Sequence, residues 1–216
     1  MQASLHKYRA KFLDDWYDFN SLGLFFFICF TYVVLLLIKQ MFIIEGIAAF
    51  EVLTERGEMW IFDLFFGLQY LSVPVFLLWK WLWTTLLLWI GCFLFGYRLL
   101  FRQLWKLVMI AELLFFLPEF GKIIWFTLIE TDPNYHDYTA FYPLSLLNLF
   151  DYTMLHQKWL YPLKSLNLFE LLYWFVLAIG IYFLSGKKLL VSLYINASSY
   201  VLFYLIWIAF YLATYG

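Results

Sequence analysis

Charged residues are scarce in this sequence: Asp, Glu, Lys and Arg make up 13 % of its 216 residues. Soluble globular chains carry about 25 % charged residues and about 45–50 % apolar ones. Here 65 % of the residues are hydrophobic and 25 % are aromatic, which is more apolar surface than a soluble core of this size can bury. The composition excludes a soluble domain and predicts a single membrane domain over residues 1–216, with the lipid bilayer as a partner.

Basic residues are not in excess either, because 14 Lys and Arg stand against 15 Asp and Glu. The formal net charge of −1 gives no basic surface for phosphate groups. Nucleic acid is therefore excluded as a partner.

Cysteine and histidine are also rare, with two and three copies. Cys29 and Cys92 lie inside apolar runs, which favours small apolar side chains over a disulfide. The sequence has no H-E-x-x-H, G-x-S-x-G, phosphate-loop or dinucleotide motif, and no apolar run contains a histidine. We therefore expect no enzyme, no cofactor and no metal site. The alternative is a membrane enzyme whose active residues lie between His136 and His156, where acidic residues accompany the imidazoles.

Five apolar runs approach or exceed the length of about 20 residues that a helix needs to cross hydrocarbon. Lipid offers no hydrogen-bond partner to the backbone, and the run lengths do not fit the alternating strands of a barrel. The sequence predicts an all-α polytopic transmembrane bundle with interfacial amphipathic helices in an outer loop at 130–167. The predicted spans are 22–38, 75–97, 107–129, 168–186 and 189–211.

Residues 60–72 are ambiguous. They could open a sixth span that ends at Trp79 and is followed by a turn at Lys80 and Trp81. We favour an interfacial or re-entrant segment, because Asp63 and Gln69 interrupt the apolar run and Pro74 follows it.

Short basic segments set the orientation by the positive-inside rule. They predict a cytoplasmic N-terminus and, with five spans, an outside C-terminus. The residues concerned are Lys7, Arg9, Lys11, Arg98, Arg102, Lys106, Lys187 and Lys188.

The third predicted span carries charges. Glu112 and Glu119 are two helical turns apart and share a face, and Lys122 can pair with Glu119. Pro118 removes the hydrogen bond to the Leu114 carbonyl and loosens the helix. The structural interpretation is a Glu119–Lys122 pair, with Glu112 bound to a neighbouring helix through Lys80 or a hydroxyl. The functional interpretation is a proton or cation pathway.

The last span places Ser192, Asn196 and Ser199 on one face. Small polar residues at this spacing favour close helix–helix packing over a substrate path.

The outer loop contains a repeat, because residues 142–151 align without gaps on residues 161–170, with seven of ten positions identical. Each copy begins with Tyr-Pro, which is typical of a first helical turn. We expect both copies to begin helices at the outer interface. Asn148 and Asn167 would bond each other or the backbone, and the surface would form a lid that faces a partner or substrate.

The order of these features resembles the Yip1 family of five-span membrane proteins. The segment 96–105 (GYRLLFRQLW) is similar to the family's Gly-x-x-x-x-Phe-x-x-Leu loop, and Ala111 and Pro118 match its alanine-then-proline third span. Residues 168–180 resemble its fourth span, and the resemblance covers about 75–211. The Asp-Leu-Tyr-Gly-Pro stretch of eukaryotic members is missing, which favours the bacterial branch.

The resemblance implies a non-catalytic protein of the bacterial inner membrane that binds or organises other membrane components, such as other membrane proteins or further copies of itself. The alternative is a small permease or transporter subunit that uses the intramembrane carboxylates Glu112 and Glu119.

Overall fold

The computed structural model describes residues 20–47, 50, 55–57, 59–186 and 188–215. Over these residues the chain is 81 % helical and has no strands, which confirms the all-α prediction. The basic residues Lys7, Arg9, Lys11 and Lys187, on which the predicted orientation partly rests, lie outside the described residues.

Nine α-helices are seen in the described part of the chain, and shorter helical turns join or separate them. The chain passes through π turns at Gln40–Ile44, after α1, and at Ala197–Val201, between α8 and α9. Single 3-10 turns occur at Leu113–Phe115, Leu146–Leu149 and Gln157–Trp159. The α-helices are α1 (Ser21–Lys39), α2 (Trp60–Leu94), α3 (Phe101–Glu112), α4 (Phe116–Leu128), α5 (Tyr135–Ala140), α6 (Leu160–Ser165), α7 (Leu168–Ser185), α8 (Leu189–Asn196) and α9 (Leu202–Thr214).

Four helical segments of the described chain are long and apolar enough to cross a membrane. They correspond to the first, second, fourth and fifth predicted spans and are Ser21–Ile44, Trp60–Leu94, Leu168–Ser185 and Leu189–Thr214.

The third predicted span, 107–129, is not one uninterrupted α-helix. It begins earlier, with α3, and changes to a 3-10 turn at Leu113–Phe115 before α4 continues the path. Pro118 has no amide hydrogen for the carbonyl of Leu114, and its ring crowds that carbonyl, so the chain forms the tighter 3-10 turn that begins one residue before Leu114. The predicted irregularity of this helix is confirmed, but it is a tightened turn at Leu113–Phe115 and not a loosened helix at Pro118, which lies within α4.

The sixth-span and re-entrant versions of the prediction for residues 60–72 were wrong, whereas the interfacial version stays a prediction. These residues are the first part of α2, which continues without a break through Pro74 and past Lys80 and Trp81 to Leu94. There is no re-entrant turn before Pro74 and no turn at Lys80. The apolar residues on both sides of Pro74 let the helix continue, because in a bundle the loss of one backbone hydrogen bond is tolerated.

Helix ends are fixed by local chemistry. The Asn20 side chain accepts a hydrogen bond from the Gly23 amide at 3.0 Å and starts α1. Gly186 ends α7 in the left-handed conformation at φ 65°, which glycine adopts without strain.

The helices are apolar on the outside as well as inside. Only 11 % of the most apolar window of α1, and 11 % of that of α2, is buried. A soluble protein would hide these faces, so their exposure is that of helices that face lipid. The inner faces of five helices, α1, α2, α3, α7 and α8, form the core, whose fully buried members are Ile28, Trp81, Leu88, Cys92, Leu104, Val108, Tyr173, Leu177, Ala178, Ile181 and Ile195.

Two contacts hold α8 and the π turn that follows it closely against α2 and α7. A Cβ on Gly91 of α2 would lie 2.8 Å from the Cβ of Ser199, and the Asn196 amide donates to the Trp174 carbonyl at 2.9 Å. The packing interpretation of the polar face of the last span is confirmed.

The interrupted helix α3–α4 runs beside α1 in the same direction. Tyr32 of α1 bonds Glu112, and Lys39, seven residues further along α1, bonds Glu119, seven residues beyond Glu112. The stretch that contains both carboxylates therefore follows α1 through the bundle.

Candidate functional site: a charged cavity between the helices

A cavity of about 630 Å³ is lined by residues of α1, α2, α3, α4, α6, α7 and α9. We call it the charged cavity, because three lysines and three glutamates line it: Lys39, Lys80, Lys164, Glu112, Glu119 and Glu170. Their formal charges cancel. Tyr142 and Tyr161, which begin the two copies of the repeat, also line it.

Glu112 is the most deeply buried of these charges, with 1 % of its surface exposed. It accepts hydrogen bonds from Lys80 Nζ at 2.8 Å, Tyr32 Oη at 3.1 Å and Trp81 Nε1 at 3.2 Å. The predicted partners, Lys80 and a hydroxyl, are both confirmed. Since both carboxylate oxygens have donors, the side chain is held in one place and its charge is compensated.

Lys80 binds aromatic rings as well as Glu112. Its Nζ lies 3.9 Å from the centre of the Phe115 ring and 5.8 Å from that of Tyr173. These cation–π contacts help to offset the cost of bringing the ammonium group into the bundle.

The predicted pair between Glu119 and Lys122 was wrong. Glu119 forms an ion pair with Lys39 of α1, while Lys122 donates to the Tyr138 carbonyl at 2.6 Å and lies 3.9 Å from the centre of the Tyr138 ring. The two side chains leave α4 in different directions because each finds a partner on another element. Lys122 does not line the charged cavity.

Glu170 also lines the cavity, and sequence reasoning did not single it out as a site residue. With 7 % of its surface exposed, it accepts hydrogen bonds from Trp174 Nε1 at 2.8 Å and Tyr200 Oη at 3.0 Å. Both donors bond Oε1, so Oε2 has no hydrogen-bond partner among the residues that the structure describes. The acidic residue that ends each repeat copy was the available signal.

Tyr200 reaches Glu170 from the π turn Ala197–Val201. A π turn adds a residue to a helical turn and rotates the side chains around it, and such turns are often found at functional sites. The irregular turn in the last span therefore holds Glu170 from behind, while Tyr204 of α9 lines the charged cavity.

Asn167 ties the cavity wall together. Its side chain caps α7 by accepting from the Glu170 amide at 2.8 Å, and it donates to the carbonyls of Ser165 at 2.9 Å and Lys164 at 3.3 Å. The second repeat copy begins helices as predicted, since Pro162 lies in α6 and Asn167 starts α7.

The first repeat copy differs from the second. It forms only the 3-10 turn Leu146–Leu149, which follows Leu144 in a left-handed conformation at φ 54°. The predicted helix is thus limited to a single turn here. Asn148 donates to the Tyr142 carbonyl at 2.8 Å, so both asparagines bond the backbone as predicted, but Asn148 lies outside the charged cavity.

The two copies are also joined through their backbones. The Leu146 amide donates to the Leu166 carbonyl at 2.9 Å, and the Leu168 amide donates to the Leu144 carbonyl at 3.1 Å. This pairing holds the first copy against the start of α7. No sequence pattern predicts this pairing, because the paired residues are not equivalent positions of the repeat.

Lys164 is the third cation of the cavity. Its Nζ donates to the Thr139 carbonyl at 2.5 Å, and no carboxylate among the described residues lies within ion-pair distance of it. Burial lowers the pKa of the Lys164 ammonium below its ordinary value, and the negative charge of Glu119 acts in the opposite direction.

The acidic and histidine residues of the outer segment are engaged with the protein itself. The His136 ring packs on Tyr152 at 5.3 Å, and Asp137 accepts from the Asn134 amide at 3.0 Å and from the Tyr152 hydroxyl. Among the described residues no group of three or more His, Cys, Asp or Glu side chains is arranged to hold a metal ion.

Comparison of the chain with family models, curated proteins and solved structures finds no match.

Proposed function

We propose that this chain is a non-catalytic integral membrane protein that binds a polar membrane component in the charged cavity. One observation carries the proposal: six charged side chains surround a single cavity within a bundle whose outer surface is apolar. A charge near the centre of a bilayer costs about 2.5–3.5 kcal/mol on insertion scales, so a set of six indicates a site rather than chance.

Two ion pairs stabilise the frame of the cavity. Lys80–Glu112 joins α2 to α3, and Lys39–Glu119 joins α1 to α4. Because Glu112 and Glu119 are already paired, the charged groups of the cavity that are available to a ligand are Lys164 and Glu170. This arrangement supports a binding or organising role, which is also what the resemblance to the bacterial Yip1 proteins implies; that resemblance stays a prediction.

We place the protein in the bacterial cytoplasmic membrane with its N-terminus in the cytoplasm and with five crossings. The parallel course of α1 and α3–α4 supports the fifth crossing, because it carries the interrupted helix through the same depth as a spanning helix. Oligomers remain compatible with the exposed apolar faces.

Identifying the membrane molecules that co-purify with the protein tests the proposal. The full chain is purified in mild detergent, extracted with organic solvent, and the extract is identified by mass spectrometry. We expect one class of molecule to be enriched over the total membrane extract. Ser72→Trp, which places an indole at the cavity wall, should remove the enrichment.

Leu71→Trp is the matched control, because Leu71 precedes Ser72 in α2 but is 74 % exposed and does not line the charged cavity. Its extract should equal that of the wild-type protein. An extract with the composition of the bulk membrane in all three proteins would rule the binding role out.

A permease that uses Glu112 and Glu119 is the second candidate, since both carboxylates line the one cavity and the helix is irregular between them. It is tested by proton and cation flux into liposomes that contain the purified protein. Under this candidate Glu112→Gln and Glu119→Gln abolish flux, whereas the binding role predicts no flux in the wild-type protein either.

A further inference from the structure

The charged cavity contains one cation and one carboxylate that are left over after its ion pairs are formed. Lys39 and Lys80 are paired with Glu119 and Glu112. Lys164 and Glu170 have no oppositely charged partner among the described residues, and they are not within ion-pair distance of each other. A bound group that is only anionic would leave Glu170 uncompensated, and one that is only cationic would leave Lys164 uncompensated.

The hydrogen-bonding groups of these two side chains that have no partner in the protein indicate the chemistry of the ligand. Glu170 Oε2 accepts no hydrogen bond from the described residues, although the side chain is almost fully buried. It needs a hydrogen-bond donor, and an ammonium group is the strongest. Lys164 has used one of its three donors, on the Thr139 carbonyl, and the others suit phosphate or carboxylate oxygens.

The backbone that carries the two side chains is held in place by Asn167. The Asn167 side chain bonds the carbonyls of Lys164 and Ser165 on one side and the Glu170 amide on the other. The positions from which Lys164 and Glu170 extend into the cavity are therefore set by the fold rather than by the ligand, which lowers the entropy cost of binding.

A second cavity, of about 320 Å³, adjoins this site and shares Asn167 and Glu170 with it. The rest of its wall is five leucines and Trp174. Apart from that shared pair its only side-chain polar group is the Trp174 indole N–H, which is bonded to Glu170, so it suits a hydrocarbon chain. The acyl chains of a phospholipid join the phosphate end of its head group, so a chain enters this cavity only by folding back from Lys164 past Asn167, which lines both cavities.

From this arrangement we infer that the charged cavity binds a zwitterionic amine–phosphate group, with its ammonium on Glu170 and its phosphate on Lys164. The same group occurs as the phosphoethanolamine head of a membrane lipid and free in water, and the competition experiment below distinguishes the two sources. The inference rests on the proposed function and names the class of ligand.

Native mass spectrometry of the delipidated full chain in detergent tests it. The protein is titrated with phosphatidylethanolamine, with phosphatidylcholine, whose quaternary ammonium has no N–H donor, and with phosphatidylglycerol, which has no cation. We expect phosphatidylethanolamine to bind about tenfold more tightly than either, the effect of one charge-assisted hydrogen bond. Free O-phosphoethanolamine is the competitor: if it displaces the lipid only at much higher concentration, the lipid is the ligand, and if it binds equally well, the soluble group is.

Two variants locate the contacts. Glu170→Gln should reduce the preference for phosphatidylethanolamine over phosphatidylcholine to about threefold or less, and Lys164→Met should weaken both lipids by about tenfold. The controls are Glu130→Gln and Lys158→Met, because neither residue lines the charged cavity. Glu130 matches Glu170 in that its carboxylate also accepts a hydrogen bond from a tryptophan, Trp125, at 3.0 Å. A wild-type circular dichroism spectrum and a single peak in size exclusion are required of each variant, and should Glu170→Gln not fold, Lys164→Met carries the test.

Equal binding of the three lipids, or a preference that survives both cavity variants, would overturn the inference. Selective binding of phosphatidylglycerol, lost in Ser72→Trp, would also overturn it while leaving the proposed binding role intact. Failure of every lipid and of the free group to bind, together with an unenriched extract, would remove the binding role itself.

Discussion

Gly180 of α7 lies directly against Leu107 of α3, so closely that a methyl group at position 180 would overlap the end of the leucine side chain. Both residues belong to regular helices, and Leu107 is itself buried. The absence of a side chain at position 180 therefore lets α3 pack closely against α7 at this point.

Gly180→Ala should lower the free energy of unfolding by about 1–3 kcal/mol, the usual cost of adding a methyl group to a filled core. Thermal unfolding in detergent, followed by circular dichroism, measures it. Gly67→Ala is the control, because nothing lies within 4 Å of a Cβ at Gly67 in α2. A destabilisation that is equal in both variants would contradict the close contact.

Removing Lys80 and removing Glu112 should lower the free energy of unfolding by different amounts. Lys80→Met leaves the Glu112 carboxylate buried without its cation and should cost about 3 kcal/mol of unfolding free energy. Glu112→Gln should cost about 1 kcal/mol, because 26 % of the Lys80 side chain is exposed and its ammonium can be solvated. The same melting experiment compares them.

The double variant Lys80→Met/Glu112→Gln completes the cycle. We expect it to be more stable than Lys80→Met alone, since no uncompensated buried charge remains. Strict additivity of the two single changes would show that the pair is not coupled.

The two asparagines of the repeat should respond differently to alanine. Asn167→Ala removes the cap of α7 and two bonds to the preceding turn, and should cost about 1–2 kcal/mol. Asn148 is exposed and donates one hydrogen bond, to Tyr142, so Asn148→Ala should cost about 0.5 kcal/mol. Urea-assisted unfolding in detergent is a suitable measurement, and the reverse order would contradict the cap.

A reporter fused after Gly216 decides the number of crossings. Five crossings from a cytoplasmic N-terminus place the C-terminus outside, so an alkaline phosphatase fusion should be active and a fluorescent-protein fusion dark. If α3–α4 does not cross, the four remaining segments return the C-terminus to the cytoplasm and both readings reverse.

Much of the fold could be predicted from the sequence, because the dominant requirement is that backbone groups be satisfied in lipid. The fourth span was predicted at 168–186 and is Leu168–Ser185, since an asparagine cap and a left-handed glycine define its ends. The early start of α2 could not be predicted in this way. Asp63 and Gln69 interrupt the apolar run and therefore argued against a continuous helix. A helix nevertheless tolerates polar side chains that are solvated or hydrogen-bonded.

The site was predictable only in part. Glu112 and Glu119 were found because a charge in a long apolar run is conspicuous, and the partner of Glu112 was found as well. The partner of Glu119 was not, because Lys39 is 80 residues away and only tertiary packing brings it near. Glu170 escaped notice because it lies at the very start of a span, where an acidic residue is an ordinary feature of a first helical turn.

The length of α2 has a consequence for how the protein sits in its bilayer. Its 35 residues extend roughly 52 Å at about 1.5 Å each, whereas the hydrocarbon layer is about 30 Å thick. Even a tilt of about 40° leaves a rise of roughly 40 Å along the membrane normal. The excess of about 10 Å belongs to the N-terminal turns, because the opposite end is anchored by the buried Leu88 and Cys92. We therefore expect those turns, which carry Asp63, to lie at the level of the lipid head groups, where the thickness of the host membrane determines how many of them contact water.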